Sequence, residues 1–96
     1  MTANNGIALN EMDGRGRYSI ETGAGEAELI YRLDSARRMI INHTYVPPEA
    51  RGREVAKRLV ERAVKDAEAR GLKIVPQCSY VARLAQSRKE WTGLFV

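Results

Sequence analysis

One cysteine, one histidine and three prolines stand in 96 residues, and no apolar run approaches the roughly 18 residues that a membrane span needs. A single cysteine excludes an intramolecular disulfide, and a free thiol suits a reducing compartment. One histidine and one cysteine, with no other clustered soft ligands, exclude a zinc site, so no metal is expected. The opening residues Met1-Thr-Ala-Asn-Asn-Gly6 have neither the basic nor the apolar part of a secretory signal. Cytoplasm is the expected compartment, and no membrane partner is expected. No internal repeat and no low-complexity segment occurs.

The length allows one domain, residues 1–96, with a single core and no separate substrate domain. Hydrophobic residues make up 44% and charged residues 29%, the balance of a soluble globular chain. Twelve acidic residues are mixed among sixteen basic ones, for a net charge of +4. Such mixing disfavours a dedicated nucleic-acid binder, which concentrates its charge on one face, and leaves anionic small molecules as partners.

Residues 1–16 hold few apolar side chains, and Asp13-Gly-Arg-Gly16 is turn chemistry. A partly disordered start is expected, with Ile7 to Leu9 at most loosely paired. Alternation then places Tyr18 and Ile20 on one face, and Ala27, Leu29, Tyr31 and Leu33 on one face of the next strand. Turns at Gly23-Ala-Gly25 and Asp34-Ser-Ala-Arg37 make these, with the strand Met39–Val46, an antiparallel meander. Pro47 and Pro48 cannot donate to a ladder and end that strand. From about Gly52 to Arg70, Ala56, Leu59, Val60, Ala63, Val64 and Ala67 recur at helical spacing. Glu61 with Lys65, and Asp66 with Arg70, are favourable pairs on the exposed side of this helix. Gly71 is placed to cap it, and a short strand, Leu72–Val75, returns parallel to the third by a right-handed crossover. A last helix is expected around Val81–Ser87, with a turn near Lys89-Glu-Trp91. The fold class is α/β in the α+β sense: a mixed, mostly antiparallel sheet, one long helix and a short C-terminal one.

A strand that feeds a helix through a Gly-containing turn leaves backbone N–H groups pointing outward at the helix start, where the helix dipole adds positive charge. That arrangement suits an anion.

Pro48-Glu-Ala-Arg-Gly-Arg-Glu-Val-Ala56 resembles the acyl-CoA pyrophosphate loop of the GNAT N-acetyltransferase superfamily: Gln or Arg, two residues, Gly, one residue, then Gly or Ala. Arg51 opens the pattern and Ala56 closes it, while its central glycine falls on Glu54. Gly71-Leu-Lys-Ile-Val-Pro-Gln-Cys-Ser-Tyr-Val81 resembles a narrower group, the very small stand-alone GNAT-like proteins, in which a strand ends in Pro-x-Cys before a short helix. With His43-Thr44, these matches run through residues 26–96. The resemblance implies an N-acetyltransferase using acetyl-CoA (CoA) and an amine acceptor, small molecule or protein. The loop Arg51, Gly52, Arg53, Glu54, Val55, Ala56 and Lys57 would bind the pyrophosphate, and the strand edge ending at Val46 would pair with the pantetheine arm. The chain has no room for the N-terminal helices that help build the acceptor site in longer relatives. The acceptor is then an exposed group on a macromolecule or a small molecule at an open cleft. Alternatives are a non-catalytic acyl-CoA-binding or protein-interaction module of the same fold and, less favoured, a nucleic-acid-binding domain.

Three residues are candidates for catalysis, each with a plainer reading beside it. The resemblance places Cys78 near the acyl group, and a thiol at a helix start gains thiolate character; a lone Cys is also a small core hydrophobe. His43 shares a face with Met39, Ile41 and Tyr45 in a regular strand, as a base or as a hydrogen-bonded core residue. Tyr80 lies near where other GNAT enzymes keep a tyrosine as general acid. Arg53, Lys57, Arg83 and Arg88 are further candidates for the cofactor's phosphate charge, or solvated surface. Glu54 either repels the phosphates or points to solvent, and Glu54→Gly is expected to raise the helix cost by up to about 1 kcal/mol.

Overall fold

A computed structural model describes residues 6–96; the expectation for residues 1–5 lies outside the described residues. The chain forms β1 (Ile7–Met12), β2 (Arg15–Glu21), β3 (Glu26–Leu33), β4 (Arg38–Tyr45), α1 (Val55–Arg70), β5 (Lys73–Pro76) and α2 (Ser79–Gln86). The sheet order is β1-β2-β3-β4-β5, antiparallel as far as β4, with β5 parallel to it. This is the mixed α+β architecture that the alternation and the helical stripe predict. Leu94–Val96 extends the sheet past β5: the Ile74 N–H bonds the Leu94 carbonyl, and the Val96 N–H bonds the Ile74 carbonyl.

The loosely paired start is a correction. Residues 7–12 pair along their whole length with β2, from Ile7 opposite Ile20 to Met12 opposite Arg15. Only Ile7 of this edge strand is buried, so its burial contributes little to a sequence pattern. What holds β1 is partly ionic. Glu11 accepts the Tyr31 hydroxyl and two nitrogens of Arg70, at 2.8 and 3.3 Å. Arg70 first, and then the Tyr31 hydroxyl, hold the Glu11 carboxyl below its usual range. A depressed folded-state value favours folding above the ordinary carboxylate range, and that contribution is lost as pH falls through the depressed value.

The α1 stripe, Val55, Leu59, Val60, Ala63, Val64 and Ala67, is buried against Tyr18, Leu29, Tyr31, Met39, Ile41 and Ile74. Full burial of a Leu or Val side chain stabilises by roughly 1.5–3 kcal/mol, which fixes the helix on this face of the sheet. Its polar side is wired to the rest of the fold, which corrects the expected pairs along the helix. Asp66 takes the Tyr18 hydroxyl at 2.6 Å and Arg62 at 3.0 Å, Arg70 reaches β1, and Glu61 takes Arg88. The helix starts at Val55, not Gly52, because Gly52 (φ 87°) and Glu54 (φ 61°) are left-handed. Gly71 (φ 69°) closes it, as expected of a C-terminal glycine.

Gly16 sits opposite Tyr31 in the β2–β3 ladder, and a Cβ there would fall inside the Tyr31 ring. Gly16→Ala is expected to lower stability by about 1–3 kcal/mol through overpacking, read as a reduced urea midpoint at constant m-value. An unchanged midpoint would mean that the ring swings away without cost.

Candidate active site

The β4–β5 pairing ends at Ile41 opposite Pro76. Beyond it, the Ile41 carbonyl accepts both the Gln77 N–H at 3.0 Å and the Cys78 N–H at 3.1 Å, and the chain turns into α2. His43–Tyr45 stays paired with β3 on one side and has no β5 residue opposite it on the other. The two strands part, leaving a backbone edge open beside the loop that leads to α1.

A cavity of about 490 Å³ fills that opening, lined by Thr44, Tyr45, Val46, Ala50, Arg51, Gly52, Glu54, Val55, Ala56 and Tyr80. Its floor is the strand end and its rim the helix start. A 3-10 turn at Pro48–Ala50 uses the Ala50 and Arg51 N–H groups on Pro47 and Pro48 carbonyls. The Arg51 N–H is therefore spent within the turn, and its side chain clasps the Val46 carbonyl through Nε at 3.0 Å. The Arg58 N–H bonds the Glu54 carbonyl at 3.1 Å; Val55, Ala56 and Lys57 precede it, in the first turn where helix geometry gives N–H groups no internal acceptor.

At Glu54 the backbone explains why the loop pattern has glycine at this place. The residue is left-handed, a conformation that costs a side chain roughly 1–2 kcal/mol relative to glycine. The Glu54 side chain is 70% exposed, with Lys57 at 3.7 Å, on the rim of the cavity it helps to line. It precedes the helix rather than occupying its first turn. This overturns the expected helix cost of glycine at the position.

The strand does not place His43 where alternation puts it. The register of β3 and β4 shifts between Ile30 and Tyr31: Ile30 faces His43, Tyr31 faces Ile41, and Asn42 is an extra residue. This bulge reverses the parity of all that follows. Thr44 faces Leu29 on the helix side, while His43 joins Ile30 on the other face, exposed, with Nε2 3.1 Å from Glu28 Oε2. Arg17 holds the other oxygen of Glu28 at 2.7 Å. Tyr45 likewise turns outward and is 42% exposed.

Cys78 is half-buried at the residue before α2, with its sulfur 3.3 Å from Thr44 Oγ1. Burial pushes the thiol up, but the Thr44 hydroxyl and the backbone groups of Val81, Tyr80 and Thr44 outweigh it, and the net direction is down. Cys78 makes no side-chain cap hydrogen bond at the start of α2. Tyr80, two residues on, lines the cavity; burial first, then the Glu54 and Glu61 carboxylates, push its phenol up. Arg88 is committed elsewhere, to Glu61, Glu90 and the Trp91 face at 4.5 Å. Arg53 and Arg83 are exposed. The role of Thr44 beside Cys78 is what sequence reasoning missed; the bulge that turns it inward carries no Gly or Pro to announce it. No group of His, Cys, Asp and Glu that could hold a metal ion occurs among the described residues, and none of their helices is long and apolar enough to cross a membrane.

The parallel strands β4 and β5 thus part beside the start of α1, whose first-turn N–H groups have no acceptor within the helix. The same fold is seen in the NMR solution structure of a GCN5-like protein from Staphylococcus aureus, with a TM-score of 0.70 and 22% sequence identity over 95% of this chain and 89% of that one. The family model described as GCN5-related N-acetyl-transferase matches residues 17–94, and the chain belongs to that family.

Glu54→Gly is expected to raise stability by about 1 kcal/mol, measured by thermal or urea unfolding, because glycine adopts the left-handed backbone without the Cβ penalty. A loss of stability would show that the side chain contributes more through Lys57 than its backbone costs.

Proposed function

We propose that this chain is an acetyl-CoA-dependent N-acetyltransferase of the cytoplasm that acts on an amine acceptor, a small molecule or an exposed group on a protein, reached at an open cleft. The observation that carries the reading is the convergence on one cavity of the parted β4 edge, the α1 start and Tyr80, with Cys78 joined to it through Thr44. Acetyl-CoA, when bound, supplies an acetyl group activated as a thioester, whose transfer forms an amide C–N bond, breaks the C–S bond and releases CoA and a proton.

The residues fit that cosubstrate by their chemistry. N–H groups from Gly52 to Lys57 offer donors to a pyrophosphate at the positive end of a helix dipole, and need no particular side chain. Lys57, Arg53 and Arg51 add positive charge around them. The edge from Asn42 to Val46 has the spacing to pair with an extended amide-bearing arm. Tyr80 keeps its proton at neutral pH and presents a donor to the cavity. Cys78 carries thiolate character beside the same space. His43, held by Glu28 on the opposite face and outside the cavity lining, takes no part in this reading. The exposure of the Glu54 side chain and the Lys57 ammonium 3.7 Å from it lessen the repulsion that this carboxylate would exert on a phosphate.

Two measurements test this. Calorimetric titration with acetyl-CoA and with CoA should show binding, and amide shift changes should concentrate at residues 46–57 and 76–81. Changes confined to the β1–β2 hairpin would place the site elsewhere. Incubation with acetyl-CoA should leave an acetyl group on Cys78, seen by intact mass and absent in Cys78→Ala. CoA protection of the thiol without acetylation would keep the site and exclude the covalent route.

A further inference from the structure

We propose that Thr44 is the positioning residue of Cys78: the bulge at Asn42 turns its hydroxyl into the cleft, where Oγ1 shares a hydrogen bond with the sulfur and holds it toward the open strand edge. The inference rests on the reading of Cys78 as the reactive group of the acetyltransferase.

The argument begins with parity. Met39 and Ile41 are fully buried on the helix face of β4. In a regular strand the next residues on that face are His43 and Tyr45, and Thr44 points away. One extra residue at Asn42 exchanges them. Thr44 then stands opposite buried Leu29, and its oxygen reaches Sγ at 3.3 Å, within range for a hydrogen bond to sulfur. The contact joins β4 to the start of α2 across 34 residues of sequence, at the place where the strands part. Thr44 also lines the cavity, so one side chain touches both the cavity and the thiol.

The chemistry follows from which groups face the sulfur. From α2 come the first-turn backbone of Tyr80 and Val81 and, nearby, the Tyr80 phenol; from β4 come the Thr44 hydroxyl and backbone. No charged side chain is among the groups that set the thiol. The site therefore differs from a cysteine activated by an adjacent imidazolium, because the bulge has carried the only histidine to the opposite face. Of the groups that favour the thiolate, the Thr44 hydroxyl ranks first. A hydroxyl suits the task in both protonation states: it accepts from a thiol and donates to a thiolate, so the sulfur keeps one partner throughout.

The test is the rate of alkylation by iodoacetamide against pH in the intact protein and in Thr44→Val and Thr44→Ser. Thr44→Val keeps the shape and loses the hydroxyl. It should move the midpoint of the profile to higher pH and slow the reaction at neutral pH by about tenfold, as loss of one hydrogen bond to an anion implies. Thr44→Ser should restore the profile. In the unmutated protein, the Cys78 13Cβ and Thr44 13Cγ2 shifts should titrate with one midpoint, a readout that does not depend on a variant folding. A Thr44→Val profile superimposable on the wild type, or a Thr44 signal blind to the thiol, overturns the proposal. Cys78→Ser tests the underlying reading separately. Full turnover in that variant removes Cys78 from the reaction, while the alkylation profiles still decide whether Thr44 governs the thiol.

Discussion

One carbonyl sets the site. The Ile41 oxygen takes the N–H groups of Gln77 and Cys78 together, and in doing so ends the β4–β5 ladder and starts the turn into α2. Pro76 helps, since it has no N–H with which to extend the ladder on its own account. The strands must then diverge: one remains in the sheet against β3, and the other becomes the lead into a helix. A gap with a polar edge follows from this divergence, and α1 crosses the sheet so that its N-terminus opens on the gap. The cavity between Thr44, Val46 and Tyr80 is thus a product of topology, and the side chains around it adjust the chemistry of a space that the backbone has already made.

The loop before α1 shows how a sequence pattern encodes backbone shape. Two left-handed residues, Gly52 and Glu54, separate the 3-10 turn from the helix. Glycine occupies one of the two positions. At the other, a glutamate accepts the strain and keeps its carboxylate in water, with Lys57 nearby. Departure from the glycine pattern strains the loop and adds a carboxylate whose field reaches Tyr80.

Much of this architecture is legible from residues alone. Strict alternation in Ala27, Leu29 and Tyr31, the stop at Pro47 and Pro48, the stripe from Leu59 to Ala67 and the cap at Gly71 each translate into the element observed. Three things are not. The edge strand β1 buries one side chain and pairs through backbone, which composition does not register. The bulge at Asn42 inserts one residue without Gly or Pro, so an alternating reading continues through it and assigns His43 and Thr44 to each other's faces. Glu61, Asp66 and Arg70 reach Arg88, Tyr18 and Glu11, far along the chain, where local spacing pairs Glu61 with Lys65 and Asp66 with Arg70 instead. In each case the information lies in contacts between distant segments, while the local pattern is satisfied either way.

The Glu11 clasp has a consequence for how this small domain opens. Arg70 is the last residue of α1, and Glu11 lies near the end of the outermost strand, 59 positions earlier. Edge strands and helix ends are ordinarily the first parts of a fold to fray, each by itself. Here the two are tied, and Tyr31 from the sheet's interior shares the knot. Releasing the strand unpins the helix end, and unwinding the helix end frees the strand. Two separate sites of local opening are thereby linked through one carboxylate.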